Sequence, residues 1–219
     1  MQRRETMKNY VYLGKEYSDS EIEEALEKFC PNKYQKFEDI ESVTAQYISK
    51  GYIVGWFQGR SEIGPRALGN RSILADPRQA DMKDILNERV KFREFFRPFA
   101  PSVLWECQTD YFDLDIINPY MLIVSEVNED KRSQIPAVTH VDNTGRIQTV
   151  IKEYNPRYHK LITEFKKITG VPVVLDTSFN IKGEPIVETP TDAINCFLGT
   201  NIDVLIVGDY LLKKDNIND

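Results

Sequence analysis

The stretch YIVGWFQGRSEIGPRALGNRSILADPR, residues 52–78, decides how this chain is read. It opens on a short apolar run, YIVGWF (52–57), of strand character. RSILAD (71–76) returns as a second strand candidate. Residues 59–78 carry four arginines, three glycines and two prolines, a density of Gly and Pro that excludes a long regular element. The chain around this segment is acidic, with 28 Lys and Arg against 34 Asp and Glu and a net charge of -6. An anion site in such a chain has to be a local pocket, because no general basic field exists.

Working outward, helix and strand patterns interleave. YSDSEIEEALEKF (17–29) has helical apolar spacing, with Ser20 and Glu23 at the spacing of a capping box. DIESVTAQYISKG (39–51) predicts a second helix, with Asp39 as N-cap and Gly51 as C-terminal stop. QADMKDILNERV (79–90) predicts a third. APSVLWECQ (100–108), PYMLIVSEV (119–127) and GRIQTVI (145–151) read as strands, and the charged NEDKRSQIP (128–136) as an exposed loop. Asn155 and Pro156 start a helix that Gly170 ends. VPVVLDTS (171–178) is a buried strand, apolar without clear alternation. TPTDAINCFLGT (189–200) is a helix capped by Thr189, and DVLIVGDYLL (203–212) a last strand. The fold class is α/β, with an open, twisted, mixed β-sheet flanked by helices. Residues 1–11 form an extension and residues 12–219 one domain.

Composition excludes several classes. No apolar run approaches the roughly 20 residues of a membrane span. Cys30, Cys107 and Cys196 lie far apart, and only His140 and His159 could join them, so no protein-held metal is expected. Unpaired cysteines fit a reduced, cytoplasmic setting. The acidic balance disfavours nucleic acid as a partner.

Four segments carry polar chemistry. In GPRALGNR (64–71) the glycines have Walker A separation, yet Asn70 and Arg71 stand where a P-loop needs Lys and Ser or Thr, which excludes one. Gly-rich backbone and arginine forks still suit an anion. A solvated loop whose arginines pair with Glu62 and Asp76 stands beside that reading. In VKFREFFRPFAPSV (90–103), Lys91 and Arg93 share one side if extended, with Arg97 following. A basic helix end is the alternative there. THVDNTGRIQTV (139–150) places His140 before a turn and Arg146 after it; on its own the histidine leans to a structural role. LDTSFNIKGEPIVETP (175–190) ends a strand on Thr177, Ser178 and Asn180, in the kind of place where open α/β sheets hold ligands. Taken alone, that segment reads equally as ordinary turn chemistry.

GRSEIGPRALGNRSILADPR (59–78) resembles the signature of the carbamoyltransferase family that includes nodulation-factor, cephamycin and tobramycin O-carbamoyltransferases. The other three segments resemble further blocks of that family in the same order, and the similarity spans residues 12–212. It covers only the C-terminal half of those enzymes, a half that resembles the YrdC-like fold of threonylcarbamoyl-adenylate synthases. There a K-x-R pair and an S-x-N triplet line the nucleotide pocket; here Lys91–Phe92–Arg93 and Ser178–Phe179–Asn180 correspond.

The resemblance implies that carbamoyl phosphate and ATP, with Mg2+ carried by the nucleotide, form carbamoyl-adenylate. It implies catalytic roles for Arg66, Lys91, Arg93 and His140, and substrate or nucleotide binding by Arg71, Arg97, Arg146, Thr177, Ser178 and Asn180. An N-terminal half with an actin-like fold and an iron site, in cis or in trans, then passes the carbamoyl group to a hydroxyl acceptor. The chain departs from the family at HVDNTGR, where Gly usually precedes Thr; Asn143 tolerates a positive φ nearly as glycine does. Alternatives are a non-catalytic module that binds nucleotide or docks on a partner, and, less favoured, an RNA-binding YrdC-like protein.

Overall fold

The computed structural model describes residues 11–218. Of the extension expected over residues 1–11, residues 1–10 lie outside the described residues. The elements run α1 (Asp19–Phe29), β1 (Tyr34–Lys36), α2 (Ile40–Ser49), β2 (Val54–Phe57), β3 (Arg71–Ala75) and α3 (Met82–Leu86). They continue with β4 (Ala100–Leu104), α4 (Gln108–Tyr111), β5 (Val124–Glu126), β6 (Thr144–Arg146) and β7 (Gln148–Val150). The last are α5 (Pro156–Thr169), β8 (Val173–Ser178), α6 (Pro190–Leu198), β9 (Val204–Val207), β10 (Tyr210–Lys213) and α7 (Asp215–Asn218).

Local chemistry sets most of these boundaries. Asp39, Asn155 and Thr189 each accept an N–H of the first turn of their helix, and Gly170 ends α5 at φ 78°. The capping box of α1 is Ser18 with Glu21, not Ser20 with Glu23. Both pairs satisfy the spacing, and the helix begins at the first, which places Asp19 and Glu21 at its positive dipole end.

Five expected elements are shorter or divided. The 100–108 strand ends at Leu104, where a 3-10 turn over Trp105–Cys107 leads into α4. The 79–90 helix stops at Leu86 and widens into a π-type turn over Asn87–Lys91. The run 203–212 is a hairpin of β9 and β10, folded at Gly208 with φ 58°. The run 145–151 is shared between β6, which pairs with β5 in a separate ribbon, and β7, which joins the main sheet. Only the end of 119–127 is a strand, because Asn118 binds the backbone of Ile147 and Leu122 and Met121 turns at φ 54°.

The main sheet has eight strands in the order β1-β10-β9-β2-β3-β8-β4-β7. Only the β2–β9 and β4–β7 pairs are parallel, so the sheet is mixed, as the sequence predicts. Register assigns its faces, since directly paired residues share a side. Lys36, Tyr210, Val207, Phe57 and Arg71 pair across one face, and Tyr210 there donates to Glu23 of α1. Lys213, Val204, Val54, Leu74 and Asp176 pair across the other, where Tyr158 of α5 reaches Asp176. Helices α1 and α6 pack together on the first face, α2 and α5 on the second. Trp56, Phe57, Tyr158, Phe165, Phe179 and Phe197 are fully buried between these layers.

The same register lines up one rim of the sheet. The carboxyl ends of β2, β8 and β9 meet the amino ends of β3, β4 and β7 there: Phe57 opposes Arg71, Ser72 opposes Ser178, and Ala100 opposes Asp176. The four chemically rich segments, which are distant in sequence, all arrive at this rim.

Candidate functional site

The centre of the rim is Lys91. The π-type turn carries it inward, and its residue is 4% exposed. Its Nζ donates to the carbonyl of Ser178, to Asn180 Oδ1 at 2.9 Å and to Asn180 O at 3.1 Å. Ser178 Oγ in turn donates to Asn180 Oδ1 at 2.7 Å. Burial pushes the Lys91 amine down to about 7, and the neighbouring Arg93 guanidinium adds to the shift. Lys91, Ser178 and Asn180, grouped from sequence, are in direct contact.

Arg93 is placed by a residue that sequence reading did not single out. Phe92 adopts a left-handed conformation, φ 46°, so Lys91 and Arg93 flank a tight reversal rather than an extended pair. Buried Asn87 accepts from Arg93 Nε at 2.7 Å and donates through Nδ2 to the carbonyls of Phe95 and Arg97. The guanidinium lies over the Phe99 ring at 4.8 Å. Burial, and then the charge of Arg97, lower its proton affinity, and Arg146 acts in the same sense. Arg146 is likewise lowered by burial and by Arg66, and its Nε is buried without a partner. Arg66 is exposed and Arg97 is engaged by Glu94 at 3.0 Å. Four guanidiniums therefore crowd one edge of an acidic protein, and among the described residues only Arg97 is paired by a carboxylate. Such crowding is unfavourable unless an anion joins it.

The loop over residues 58–70 corrects two expectations. Its backbone amides do not form an open phosphate cradle. Glu62 Oε1 accepts the N–H groups of Leu68 at 2.7 Å, Asn70 at 2.8 Å and Arg71 at 3.3 Å, so the chain's own carboxylate fills the nest. Arg71, expected on the substrate, is wholly buried. Its guanidinium donates to the carbonyls of Gln58, Gly59 and Asn70 and stacks on Phe57 at 3.6 Å. Burial lowers it to about 10. It clasps the loop to the sheet. The solvated-loop reading holds for one arginine: Arg78 grips buried Asp76 with a 2.6 Å ion pair.

The loop is held from the other side as well. Trp56 Nε1 and Tyr12 OH donate to the carbonyls of Gly69 and Leu68. Gly69 has φ 98°, and a Cβ there would stand 2.2 Å from the Tyr158 ring, so only glycine fits.

His140 lies on the rim but apart from Lys91. Its ring nitrogens face Phe99 O at 3.4 Å and Thr144 Oγ1 at 3.3 Å. It borders a 230 Å³ pocket with Lys83, Phe96 and Asp142. Burial lowers its pKa, which disfavours the imidazolium a proton donor needs. Thr177 alternates to the face opposite Ser178. Asn143 has φ 64°, in keeping with its expected tolerance. A cleft of about 460 Å³ opens beside Asn180, bordered by Gly64, Arg71 and Glu188.

Asp176, unnoticed in sequence, is the buried carboxyl beneath the rim. It is 1% exposed, and burial raises it to about 7. No cluster of His, Cys, Asp and Glu suited to a metal ion exists among the described residues. No helix among them is long and apolar enough to cross a membrane.

Comparison with known proteins gives the family and the fold. The family model described as Carbamoyltransferase C-terminus matches residues 45–214. Nodulation protein NolNO of Sinorhizobium fredii is 49% identical over 209 residues, covering 93% of this chain and 31% of that protein. The 3'-hydroxymethylcephem-O-carbamoyltransferase of Amycolatopsis lactamdurans is 43% identical over 167 residues, covering 76% of this chain and 32% of that protein. The chain thus spans about a third of the length of these relatives. Among solved structures, P. abyssi Sua5 complexed with L-threonine superposes with a TM-score of 0.56 at 16% identity, over 80% of this chain and 48% of that one. T. kodakarensis HypF gives 0.53 at 21% identity, over 81% and 21%. The fold is YrdC-like, as the sequence predicts.

Proposed function

The chain belongs to the carbamoyltransferase C-terminal family, and from that premise we propose that its rim makes carbamoyl-adenylate from carbamoyl phosphate and ATP. The observation that carries this reading is the contact of Lys91 with Ser178 and Asn180, beside Arg93, Arg146 and Arg66. Both substrates are polyanions, and their mutual repulsion is a central barrier. Carbamoyl phosphate takes up water and releases phosphate, leaving carbamate. A carbamate oxygen then bonds to the α-phosphorus of ATP, and pyrophosphate leaves with the electron pair of the broken P–O bond. Cations fixed before reaction stabilise the charge that develops, each worth roughly 3 to 4 kcal/mol by analogy with oxyanion donors.

Lys91 and Arg93 take the nucleotide phosphates, and Arg66 and Arg146 the carbamoyl phosphate end. Ser178 and Asn180 orient Lys91 and offer hydroxyl and amide groups to phosphate or to the carbamoyl amide. Arg97 extends the basic edge. Arg71 acts through the loop it holds, and His140 serves as a neutral hydrogen-bonding group beside Arg146. Mg2+ carried by ATP would supply charge neutralisation at the phosphates that Lys91 and Arg93 take. Transfer to a hydroxyl acceptor belongs to the remaining two thirds of proteins such as NolNO, in cis or in trans. The test is phosphorus NMR of the chain with carbamoyl phosphate and Mg-ATP. Inorganic phosphate, pyrophosphate and an AMP ester are expected together. ATP binding without these products by the chain and its partner half would instead mark a nucleotide-binding module.

A further inference from the structure

The Asp176 carboxyl is joined to the arginine loop by a chain of hydrogen bonds. Ser102 Oγ lies 3.0 Å from Asp176 Oδ2 and 2.8 Å from Gln148 Oε1. Gln148 Nε2 donates to the carbonyl of Leu68 at 2.9 Å. That donation fixes the amide so that Oε1 faces Ser102 as an acceptor. A serine hydroxyl has one proton. If Ser102 gives it to Gln148, the contact with Asp176 is a hydrogen bond only when Asp176 carries a proton and donates it. Every link is buried, where an unmatched pair of acceptors is costly.

From its other side, Tyr158 of α5 approaches Oδ2 at 3.3 Å. The Ser72 hydroxyl lies against the carboxyl and, with Ser102, works against the larger effect of burial, while Oδ1 closes no hydrogen bond of full geometry among the described residues. Ser72 Oγ accepts the Gly69 N–H at 3.1 Å, a second link to the same loop. The charged and titratable groups around Asp176 are Glu62 of the loop, Lys91 of the π-type turn, Arg146 of β6, Tyr158 of α5 and Tyr12. Two residues along β8 from Asp176 stands Ser178, the partner of Lys91.

We propose that Asp176 is a positioning residue of the rim: donating to Ser102, it turns Gln148 onto the Leu68 carbonyl and sets the arginine loop against the Lys91–Ser178 cluster. Its role at the rim rests on the reading of that rim as the substrate site. Ionising Asp176 reverses the Ser102 hydroxyl, leaves Gln148 Oε1 without a donor and loosens the loop.

The test follows hydrogen exchange at the amides of residues 66–71, and calorimetric ATP affinity, from pH 5.5 to 8.5. In the wild type, loop exchange corrected for its intrinsic pH dependence is expected to accelerate, and ATP affinity to fall, as pH rises through neutrality. Asp176→Asn keeps a donor for Ser102 and carries no charge; it is expected to remove the pH-linked part of the loop exchange, to leave the part of the ATP profile that Lys91 sets, and to hold affinity within threefold at pH 6. Ser102→Ala cuts the chain while keeping the Asp176 and Lys91 side chains, and is expected to speed loop exchange about tenfold at pH 6. Unchanged loop exchange in Ser102→Ala overturns the proposal. So does a wild-type pH profile of loop exchange in a folded Asp176→Asn, and if that variant does not fold, Ser102→Ala decides alone. Failure of every variant and the wild type to bind ATP would overturn the function of the rim, while the exchange data would still decide whether Asp176 positions the loop.

Discussion

Lys91 Nζ and Asn180 Oδ1 lie 2.9 Å apart, although 89 positions separate the residues in sequence. The pair joins the turn after α3 to the end of β8, and it fixes an amine whose burial takes it down to about 7. Because that value is lowered, the ammonium form is lost as pH rises through neutrality. A bound polyanion favours the ammonium again. ATP binding at pH 8 is therefore expected to take up a proton, seen as a binding enthalpy that varies with the ionisation heat of the buffer. Lys91→Met is expected to reduce that dependence and weaken ATP at least tenfold. Equal enthalpies in all buffers would contradict the assignment.

Arg71 and Arg93 are expected to separate stability from binding. Arg71→Met removes a buried guanidinium from the carbonyls of Gln58, Gly59 and Asn70 and from the Phe57 ring, and is expected to cost about 3 kcal/mol in denaturant unfolding. Arg93→Met keeps much of the packing on Phe99, and is expected to change stability by no more than about 1 kcal/mol while lowering ATP affinity about tenfold or more. The reverse pattern would return Arg71 to the substrate.

Asp176 has a signed effect on stability. Its folded value is raised from 3.8 to about 7, so the native state holds a proton that the unfolded chain has released. Its contribution to stability consequently falls as pH rises from about 4 to about 7. Asp176→Asn has no such loss. Relative to the wild type, it is expected to gain on the order of a few kcal/mol between pH 4.5 and pH 8. Parallel stability curves would show that the carboxyl is ionised throughout.

Gly69 and Gly64 form a matched control. Both have positive φ, but a Cβ at Gly64 meets nothing within 4 Å, whereas at Gly69 it strikes Tyr158. Gly64→Ala is expected to lose about 1 kcal/mol from backbone strain. Gly69→Ala is expected to lose more than about 3 kcal/mol, because ring and loop cannot both keep their places. Thermal melts of the two variants check this.

The sequence was most legible where chemistry is local. Asp39, Asn155, Thr189 and Gly170 terminate their helices as expected, because a cap depends on its own turn. Lys91, Ser178 and Asn180 were grouped by resemblance, and the sheet brings them together. The parts played by Arg71 and Glu62 were not legible, because composition cannot distinguish an arginine that faces a ligand from one that clasps carbonyls. Their roles depend on the loop folding back over β2 and β3. Asp176 was hidden inside an apolar strand, and Asn87 inside a helical pattern. The role of Asp176 comes from Ser102, a partner 74 positions away, and that of Asn87 from the reversal at 93–97, which a helical reading of 79–90 does not foresee. A polar residue in the middle of VVLDTS was the available signal for Asp176.

The central claim is adenylation at the Lys91 rim, and ATP–pyrophosphate exchange measures it most directly. Labelled pyrophosphate is expected to enter ATP only when carbamoyl phosphate is present, and Lys91→Met is expected to reduce the rate by a factor on the order of a hundred or more. Well-folded protein that shows no exchange, alone and with its partner half, or exchange that survives Lys91→Met unchanged, would contradict it.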